Sequence, residues 1–497
     1  MSMRCSEIVS LVRGLTETVS YQERGADPHI VDVSSDSRAV SQGALFCCIK
    51  GEEDDGHGYV GMAEERGAVA LLCERPVASS LPTIIVPSVR EVMGEVAAAV
   101  HGDPSKNLFM VGVTGTNGKT TTTYAMKSIL QAAGIRTGLL GTIVESDGLT
   151  ERDADRTTPE SCVVQRQLAA MVKNGCGACV METSSHGLSL GRLRGARFDV
   201  PVFTNLHPEH LDFHGDMEGY FQAKRLLFLQ YVKHGSVGAA NATDPYGRRL
   251  LEESSGRLRG FSLDEGEGVV SRAVGWQTSL EGTTMKIEME GHPPLDIKSP
   301  LVGVFNVWNV LCAVTASRGR VDDAAILQGI ASMPQVPGRV ERHALPNGAC
   351  CFIDFAHTPS ALRSVLSTLR SLSKGRAIAV FGHGGGRYPM NRPELGKVAA
   401  ELADEAIFTM DNPRDEDPGA IAHAIEQGFK AAGGTTSQII LDRGEAIRKG
   451  LGLLGPGDVL VVTGKGPEKY VQIGDVKHPF SDAETVERWI REEGRRP

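Results

Sequence analysis

The residues with the clearest capacity for chemistry form one run, Thr114-Gly115-Thr116-Asn117-Gly118-Lys119-Thr120-Thr121. A loop of this composition suits phosphate. Glycines let backbone N–H groups close on an anion, and a helix N-terminus adds the positive end of its dipole. Lys119 can reach the β- and γ-phosphates, and the Thr120 hydroxyl can ligate Mg²⁺. The spacing is not the usual Walker pattern, because Val113 stands five positions before Gly118 where a glycine is expected. The flanks favour nucleotide binding over a mere turn. Residues 108–113 read as a buried strand, and a helix is expected from about Thr122 to Ala133, ended by Gly134.

Phosphoryl transfer also needs an acid to orient a metal. Val180-Met181-Glu182-Thr183-Ser184-Ser185-His186 places Glu182 at the end of a later strand, where its carboxylate could face the loop. The plain alternative is a solvent-exposed strand-end glutamate. Further on, His207, His210 and His214 fall within eight positions, which makes a zinc hydrolase the obvious competitor. Neither H-E-x-x-H nor H-x-x-E-H is present, however, and Pro208 interrupts any helix carrying both His207 and His210.

Lys224 is the most telling single residue. On a wheel for residues 219–232, at about 100° per residue, Tyr220, Phe221, Leu227, Phe228 and Tyr231 gather in one arc of roughly 120°. Lys224 falls near the middle of that arc. A lysine there is costly unless it snorkels, is paired, or is neutralised. Desolvation favours the neutral amine, which can react with carbon dioxide to give a carbamate able to hold a metal.

Three later loops each follow an expected strand: Gly382-His383-Gly384-Gly385-Gly386-Arg387, Asp411-Asn412-Pro413-Arg414 and Gly464-Lys465-Gly466-Pro467-Glu468. Loops at the carboxyl ends of parallel strands share one sheet edge. Two arginines and a glutamate gathered there suit a zwitterion, with a guanidinium fork for carboxylate and an acid for ammonium.

The elements that must position these residues read as α/β throughout. Residues 1 to about 103 mix short strands (30–33, 44–49, 69–72, 83–86) with helices, and His101-Gly102-Asp103-Pro104-Ser105-Lys106 reads as a linker. From 108, apolar runs alternate with amphipathic helices, the pattern of a parallel sheet. Residues 256–300 read as an antiparallel excursion, and Met333-Pro334-Gln335-Val336-Pro337-Gly338 is a second break. Beyond it strands return at 350–354, 377–381, 405–410, 438–441 and 459–463. Three domains are expected: 1–103, 104–335 with a central parallel-sheet P-loop ATPase fold, and 336–497 with a Rossmann-like fold.

Composition narrows the function classes. Of 497 residues, 61 are acidic and 52 basic, giving a net charge of −9, which argues against nucleic acid or an anionic membrane as partner. Aromatics at 5% are too few for a stacking platform. The 58 glycines are about 12% against an average near 7%, and they fall at expected strand ends. No run approaches 18 apolar residues, so no membrane span is expected. Glu7, Arg13 and Glu17 read against a signal peptide, and ten scattered cysteines read as buried, reduced thiols in a cytoplasmic protein. Cys176 and Cys179 form a lone C-x-x-C running into an apolar strand, read as core rather than as a metal or redox pair.

The phosphate loop, Glu182-Thr-Ser-Ser-His186, Asn205-Leu-x-x-x-His210-Leu-Asp212 and Tyr220-Phe-x-x-Lys224 together resemble the ATP-dependent Mur ligases of bacterial peptidoglycan synthesis. Among these, the likeness is to ligases that add the third peptide residue. It covers nearly the whole chain, with the motifs in order. It implies a cytoplasmic bacterial enzyme that serves cell shape and division; oligomerisation has no visible signature in the sequence, so a monomer is the default expectation. The implied substrates are ATP, UDP-N-acetylmuramoyl-L-alanyl-D-glutamate and a diamino acid, joined through an acyl phosphate.

Residue by residue, the resemblance implies that Ser35, Ser37 and Arg38, with Asp55-Gly56-His57, hold the uridine nucleotide. Thr157, Thr158, Ser184 and Arg192 would contact the muramoyl dipeptide. Gly115, Thr116, Asn117, Gly118, Lys119, Thr120, Thr121, Asn306, Arg339, Asp354 and His357 would bind ATP. Thr120, Glu182, His210 and a carbamoylated Lys224 would hold Mg²⁺, with Lys119, Glu182, His210 and Lys224 forming the catalytic set. Arg387, Asp411, Asn412, Pro413, Arg414, Gly464 and Glu468 would take the amino acid. The Asp-Asn-Pro-Arg run looks like that of ligases for meso-diaminopimelate. Gly385-Gly386-Arg387-Tyr388 and Pro467 differ from that type, which leaves L-lysine and L-ornithine as alternatives. A folylpolyglutamate-type ligase and a non-catalytic nucleotide switch are the other readings.

Overall fold

The computed structural model describes residues 2–51 and 54–493; residues 1, 52–53 and 494–497, the outer ends of the first and third expected domains among them, lie outside the described residues. The chain forms two compact units. The first comprises residues 1–274, 286–295 and 308–330, and the second 275–285, 296–307 and 331–497.

Besides a two-stranded pairing of Met3–Arg4 with His29–Ile30, the first unit holds two larger sheets. Near the N-terminus five strands run in the order Ser20–Gln22, Thr83–Ile85, Ala68–Cys73, Ala44–Cys47, Asp32–Ser34, all parallel except the first, an antiparallel edge. Helix Val89–Val100 lays Val89, Val92, Met93, Val96 and Val100 on this sheet, the three-and-four spacing of an apolar helix face.

The larger sheet explains the site. Strand Phe109–Thr114 is flanked by Ala178–Glu182 on one side and Val200–Phe203 on the other, all parallel. Thr137–Leu140 lies beyond the first of these, and Gly238–Asn241 and Leu258–Ser262 lie beyond the second. The chain therefore reverses direction around Phe109–Thr114, and such a switch point opens a crevice at the strands' carboxyl ends. The phosphate loop leaves this middle strand, while Glu182 and Asn205 leave its two neighbours. The strands are near-continuous apolar runs because helices cover both faces of a parallel sheet.

Expected and observed elements differ in places. The helix after the phosphate loop begins at Lys119, three residues before the expected start, because Gly118 at φ 85° turns the chain directly into it. A hairpin of Val144–Ser146 and Glu151–Asp153 was not legible, since three-residue strands carry no period. The stretch expected as an antiparallel excursion begins with Leu258–Ser262 paired parallel both to Gly238–Asn241 and to Val269–Ser279, and the meander follows from Val269. All ten cysteines are free and buried, and Cys179 lies in the core of its strand.

The second unit carries a six-stranded sheet in the order Glu341–Ala344, Cys350–Asp354, Val459–Thr463, Ala377–Phe381, Glu405–Phe408, Ser437–Ile439, parallel from Cys350–Asp354 onward. Four neighbouring strands deliver the segments starting at 355, 464, 382 and 409 to one edge. Arg443, 2% exposed, ties two of them down. Its guanidinium donates to Asp482 (2.7 Å), to Met410 O (3.3 Å) and to Thr463 O (2.9 Å). Asp482→Ala, which strands that guanidinium without its carboxylate, is expected to destabilise the protein by about 3–5 kcal/mol. Urea unfolding checks this, and an unchanged midpoint would contradict it.

Candidate functional site

The phosphate loop is held by the segment that leaves the neighbouring strand. Thr116 N donates to Asn205 O (2.8 Å), Asn117 N to Asn205 Oδ1 (2.9 Å), and Thr204 Oγ1 to Asn117 O (2.6 Å). Gly115 sits at φ 146°, and a Cβ there would collide with the Thr204 hydroxyl. Only glycine fits this approach. Gly118 is equally confined, by Asn309 Oδ1 from the helix Val304–Ser317. Asn205 lies in a motif that stood out in the sequence, yet the bracing of the loop by Asn205 and Asn309 is a tertiary property without a local signal.

Lys119 folds back over the loop, its Nζ donating to Gly115 O (3.0 Å) and Thr116 O (2.9 Å). Lys224 reaches the same place from below. Its Nζ donates to Gly115 O (2.9 Å) and stands 4.5 Å above the Tyr220 ring. The lysine is 1% exposed, as its wheel position demanded. Burial drives its amine well below the ordinary lysine range, and the nearby Lys119 charge acts in the same direction. Two amines on one carbonyl oxygen favour a neutral partner in the dry position.

Glu182 closes the other flank. It is 1% exposed; its carboxylate accepts from Thr120 Oγ1 (3.1 Å), Thr142 N (2.9 Å) and Thr142 Oγ1 (3.0 Å). A Cβ on Gly141 would lie 2.6 Å from Glu182 Oε1, so the strand-end glycine makes the room. These partners are neutral. A dry carboxylate beside a threonine hydroxyl is a hard-oxygen pair of the kind Mg²⁺ takes, so Thr120 and Glu182 fit the ion. His210 adopts φ 56° and keeps a half-exposed side chain. Its ring meets His186 edge-on at 4.8 Å and Tyr220 at 6.3 Å. Tyr220 OH in turn lies 3.3 Å from Thr116 Oγ1. Burial, with His186 and Lys224 adding to it, brings His214 down to about 4. Among the described residues no three His, Cys, Asp or Glu side chains form a metal-binding group, so His207, His210 and His214 do not make the zinc site their spacing raised.

Beside Glu182 lies a second cluster. Thr158 Oγ1 donates to Glu182 O (3.1 Å), Ser184 Oγ to Thr158 Oγ1 (3.0 Å) and Arg192 Nη1 to Thr158 O (3.2 Å), while Thr157 Oγ1 is 3.0 Å from Thr142 Oγ1. The four residues expected to act together are therefore adjacent. Ser35 Oγ lies 3.5 Å from Cys162 Sγ, at the start of the helix that follows this cluster. Ser37 Oγ donates to the Met62 sulfur (3.3 Å), and exposed Arg38 pairs with Asp36 (2.9 Å). His57 is buried against Asp55 (2.6 Å), with Nε2 accepting from Glu74 N (3.0 Å).

In the second unit Asp354, Asp411, Asn412, Pro413, Arg414, Gly464 and Glu468 share the sheet edge. Asp354 Oδ2 accepts from Val340 N (2.8 Å) and Oδ1 from Ala356 N (2.7 Å); burial raises its carboxyl. The Arg339 guanidinium lies 5.3 Å over Phe355, and His357 Nδ1 is 3.0 Å from Phe355 O. Gly338 and Gly466 pack so closely, against Pro467 and Phe355, that the 464–468 loop touches both segments. Asn412 Nδ2 donates to Glu468 Oε2 (2.8 Å), Gly385 N donates to Asn412 O (2.9 Å), and Arg414 Nη1 donates to Gly385 O (2.5 Å). Arg414 takes the left-handed conformation at φ 52°, its N donating to Gln472 O (3.2 Å). Arg387 is exposed at the rim. Asn306 belongs to this unit, with Nδ2 donating to Val302 O (2.8 Å).

Comparison with known proteins agrees with this arrangement. Residues 29–101 match the Mur ligase family catalytic domain, 113–317 the Mur ligase middle domain, and 338–466 the Mur ligase glutamate ligase domain. The chain is 42% identical over 480 residues to a UDP-N-acetylmuramoyl-L-alanyl-D-glutamate–2,6-diaminopimelate ligase of Chlorobaculum tepidum, covering 93% of each. A protein of the same description from Bacillus licheniformis is 38% identical, with 98% of this chain and 99% of that one covered. A solved structure described as a UDP-N-acetylmuramoyl-L-alanyl-D-glutamate–2,6-diaminopimelate ligase superposes with a TM-score of 0.70 at 29% identity, over the full length of both chains. With a three-domain α/β fold and similarity running end to end, the chain belongs to the Mur ligase family.

Proposed function

We propose that this protein is the ATP-dependent ligase that adds meso-diaminopimelate to UDP-N-acetylmuramoyl-L-alanyl-D-glutamate. The observation that carries the reading is the meeting of Lys119, Lys224 and Glu182 on one phosphate loop at a sheet switch point. The relatives named above, described by this reaction and matched along their whole length, support the choice of substrates.

The D-glutamate side-chain carboxylate attacks the γ-phosphorus, the bond to the β-phosphate oxygen breaks, and ADP leaves an acyl phosphate. A neutral amine of the diamino acid then attacks the acyl carbon, the bond from that carbon to the phosphate oxygen breaks, and the amine's proton leaves with the inorganic phosphate as the amide forms. Lys119 and the loop N–H groups hold the phosphates and stabilise the charge on the transferring group. Thr157, Thr158, Ser184 and Arg192 orient the acceptor carboxylate, and most of the gain is positional. Thr120, Glu182 and His210, with Lys224 as its carbamate, would hold Mg²⁺, which neutralises developing charge when bound. The carbamate forms from the neutral Lys224 amine and carbon dioxide with release of one proton.

Ser35, Ser37 and Arg38 take the uridine nucleotide; Asn306, Arg339, Asp354 and His357 bind ATP. Arg387, Asp411, Asn412, Pro413, Arg414, Gly464 and Glu468 take the amino acid, with Arg414 on its distal carboxylate. The division falls at about residues 103 and 335, and the enzyme works as a monomer. ATP and a UDP-linked precursor as substrates place it in the bacterial cytoplasm.

Phosphate release is the test. With ATP and the UDP-muramoyl dipeptide, meso-diaminopimelate is expected to support turnover, and L-lysine and L-ornithine are expected not to. Release with lysine or ornithine alone would reassign the third residue; no release with any of the three would remove the ligase reading. Arg414→Ala is expected to raise the KM for diaminopimelate by about 100-fold, on the scale of one lost charge-assisted fork. The KM for ATP should stay within twofold, and equal changes in both would count against the assignment.

A further inference from the structure

We infer that Lys465 is a positioning residue for the amino-acid substrate, a role that rests on the ligase reading above. Lys465 is a lysine with 0% exposure at the sheet edge where the loops starting at 409 and 464 meet. A buried ammonium is stable only where oxygens fill its donors and opposite charge surrounds it. Here Nζ donates to Asn412 Oδ1 (2.9 Å) and Glu468 Oε2 (3.0 Å), and Asp411 Oδ1 lies 3.6 Å away. The Tyr470 ring stands 5.4 Å off its Nζ.

These bonds decide what the pocket can offer. Asn412 Oδ1 accepts from both Lys465 Nζ and Gln472 N (2.9 Å), which fixes the amide and aims Nδ2 at Glu468 Oε2. Glu468 Oε2 is thereby committed twice over, to Asn412 and Lys465, while its side chain remains a quarter exposed. Oε1 is then the oxygen presented outward. The Arg443 guanidinium also acts on Asp411 and Glu468 but is matched by Asp482, which leaves two carboxylates against the one Lys465 ammonium and room for one further cation. An incoming ammonium supplies it. Without Lys465 the two carboxylates would face each other across an empty position, and Asn412 could turn over. Lys465 does not touch the reacting atoms; it acts through Asn412 and Glu468.

The experiment is steady-state phosphate release by full-length Lys465→Met and Lys465→Gln, with ATP, dipeptide and diaminopimelate each varied in turn. The wild-type enzyme is run first; if it turns over with no diamino acid, the ligase reading fails and the role of Lys465 falls with it. With an active wild type, both variants are expected to show a KM for diaminopimelate raised at least tenfold. Their KM values for ATP and dipeptide should stay within twofold. A merely structural lysine would not separate the three constants. Parallel rises in all three, a fall in kcat alone, or wild-type behaviour of either folded variant would overturn the inference. Lys465→Ala supplied with propylammonium is a second readout. Recovery of at least a third of the lost affinity for diaminopimelate is expected, and no recovery in a folded variant would also overturn it.

Discussion

Lys224→Ala is expected to lower kcat by a factor on the order of 10³ or more, the scale on which a single charge at a transferring phosphoryl group counts. The side chain's place makes the size of the effect intelligible. Its amine bonds the Gly115 carbonyl, is buried over the Tyr220 ring on the same helix face as Phe221, Leu227 and Phe228, and shares its acceptor with Lys119. Two chemical identities are compatible with that place. An ammonium would gain from the Tyr220 face, yet it would stand beside Lys119 in a dry site. A carbamate would turn the same atoms into a metal-holding anion. The variant separates them. If the carbamate acts, formate or acetate entering the space left by the alanine should restore a measurable fraction of turnover. The wild-type protein exposed to ¹³C-labelled bicarbonate should also show a carbamate resonance that the variant lacks. Wild-type activity in Lys224→Ala would end the catalytic assignment. Inactivity without carboxylate rescue or a resonance would assign the ammonium instead.

Lys224 also shows how far a sequence can be read. Its position on an apolar helix face follows from a 3.6-residue period and needs no tertiary knowledge, and the burial of Tyr220, Phe221, Leu227, Phe228 and Tyr231 follows with it. The central strand Phe109–Thr114 and the parallel strands at 350–354, 377–381, 405–408 and 459–463 were legible for the same reason, since fully buried parallel strands are uninterrupted apolar runs, whereas Gly238–Asn241, short and small-residued, was not. What escaped were relations between segments. Nothing near Gly118 announces Asn309, nothing near Glu182 announces Thr142, and Lys465 reads as an ordinary loop lysine until the strands beside it are placed. Sheet order brings these partners together, and sheet order is a long-range property. The short hairpin at 144–153 escaped because strands of three residues have no period to detect.

Glu182→Gln is expected to cut kcat by about 10²–10³-fold, the range measured when one preorganised electrostatic partner is lost at a reacting centre. The protein should keep its melting temperature within a few degrees. Glutamine preserves the shape and can still accept from Thr142 N, while the Thr120 and Thr142 hydroxyls can rotate to accept from the new amide. The substitution therefore removes charge and little else. If that charge serves to hold Mg²⁺ beside Thr120, the concentration of Mg²⁺ giving half-maximal phosphate release should rise at least tenfold. ATP binding measured without Mg²⁺ should barely change, because Lys119 and the loop amides are untouched. The alternative is that Glu182 only fastens the start of the loop's helix through Thr120. In that case glutamine, able to make the same bonds, would leave both the rate and the Mg²⁺ requirement near wild type. Dry burial of a carboxylate among neutral partners is costly, and a cation held at this position would offset that cost.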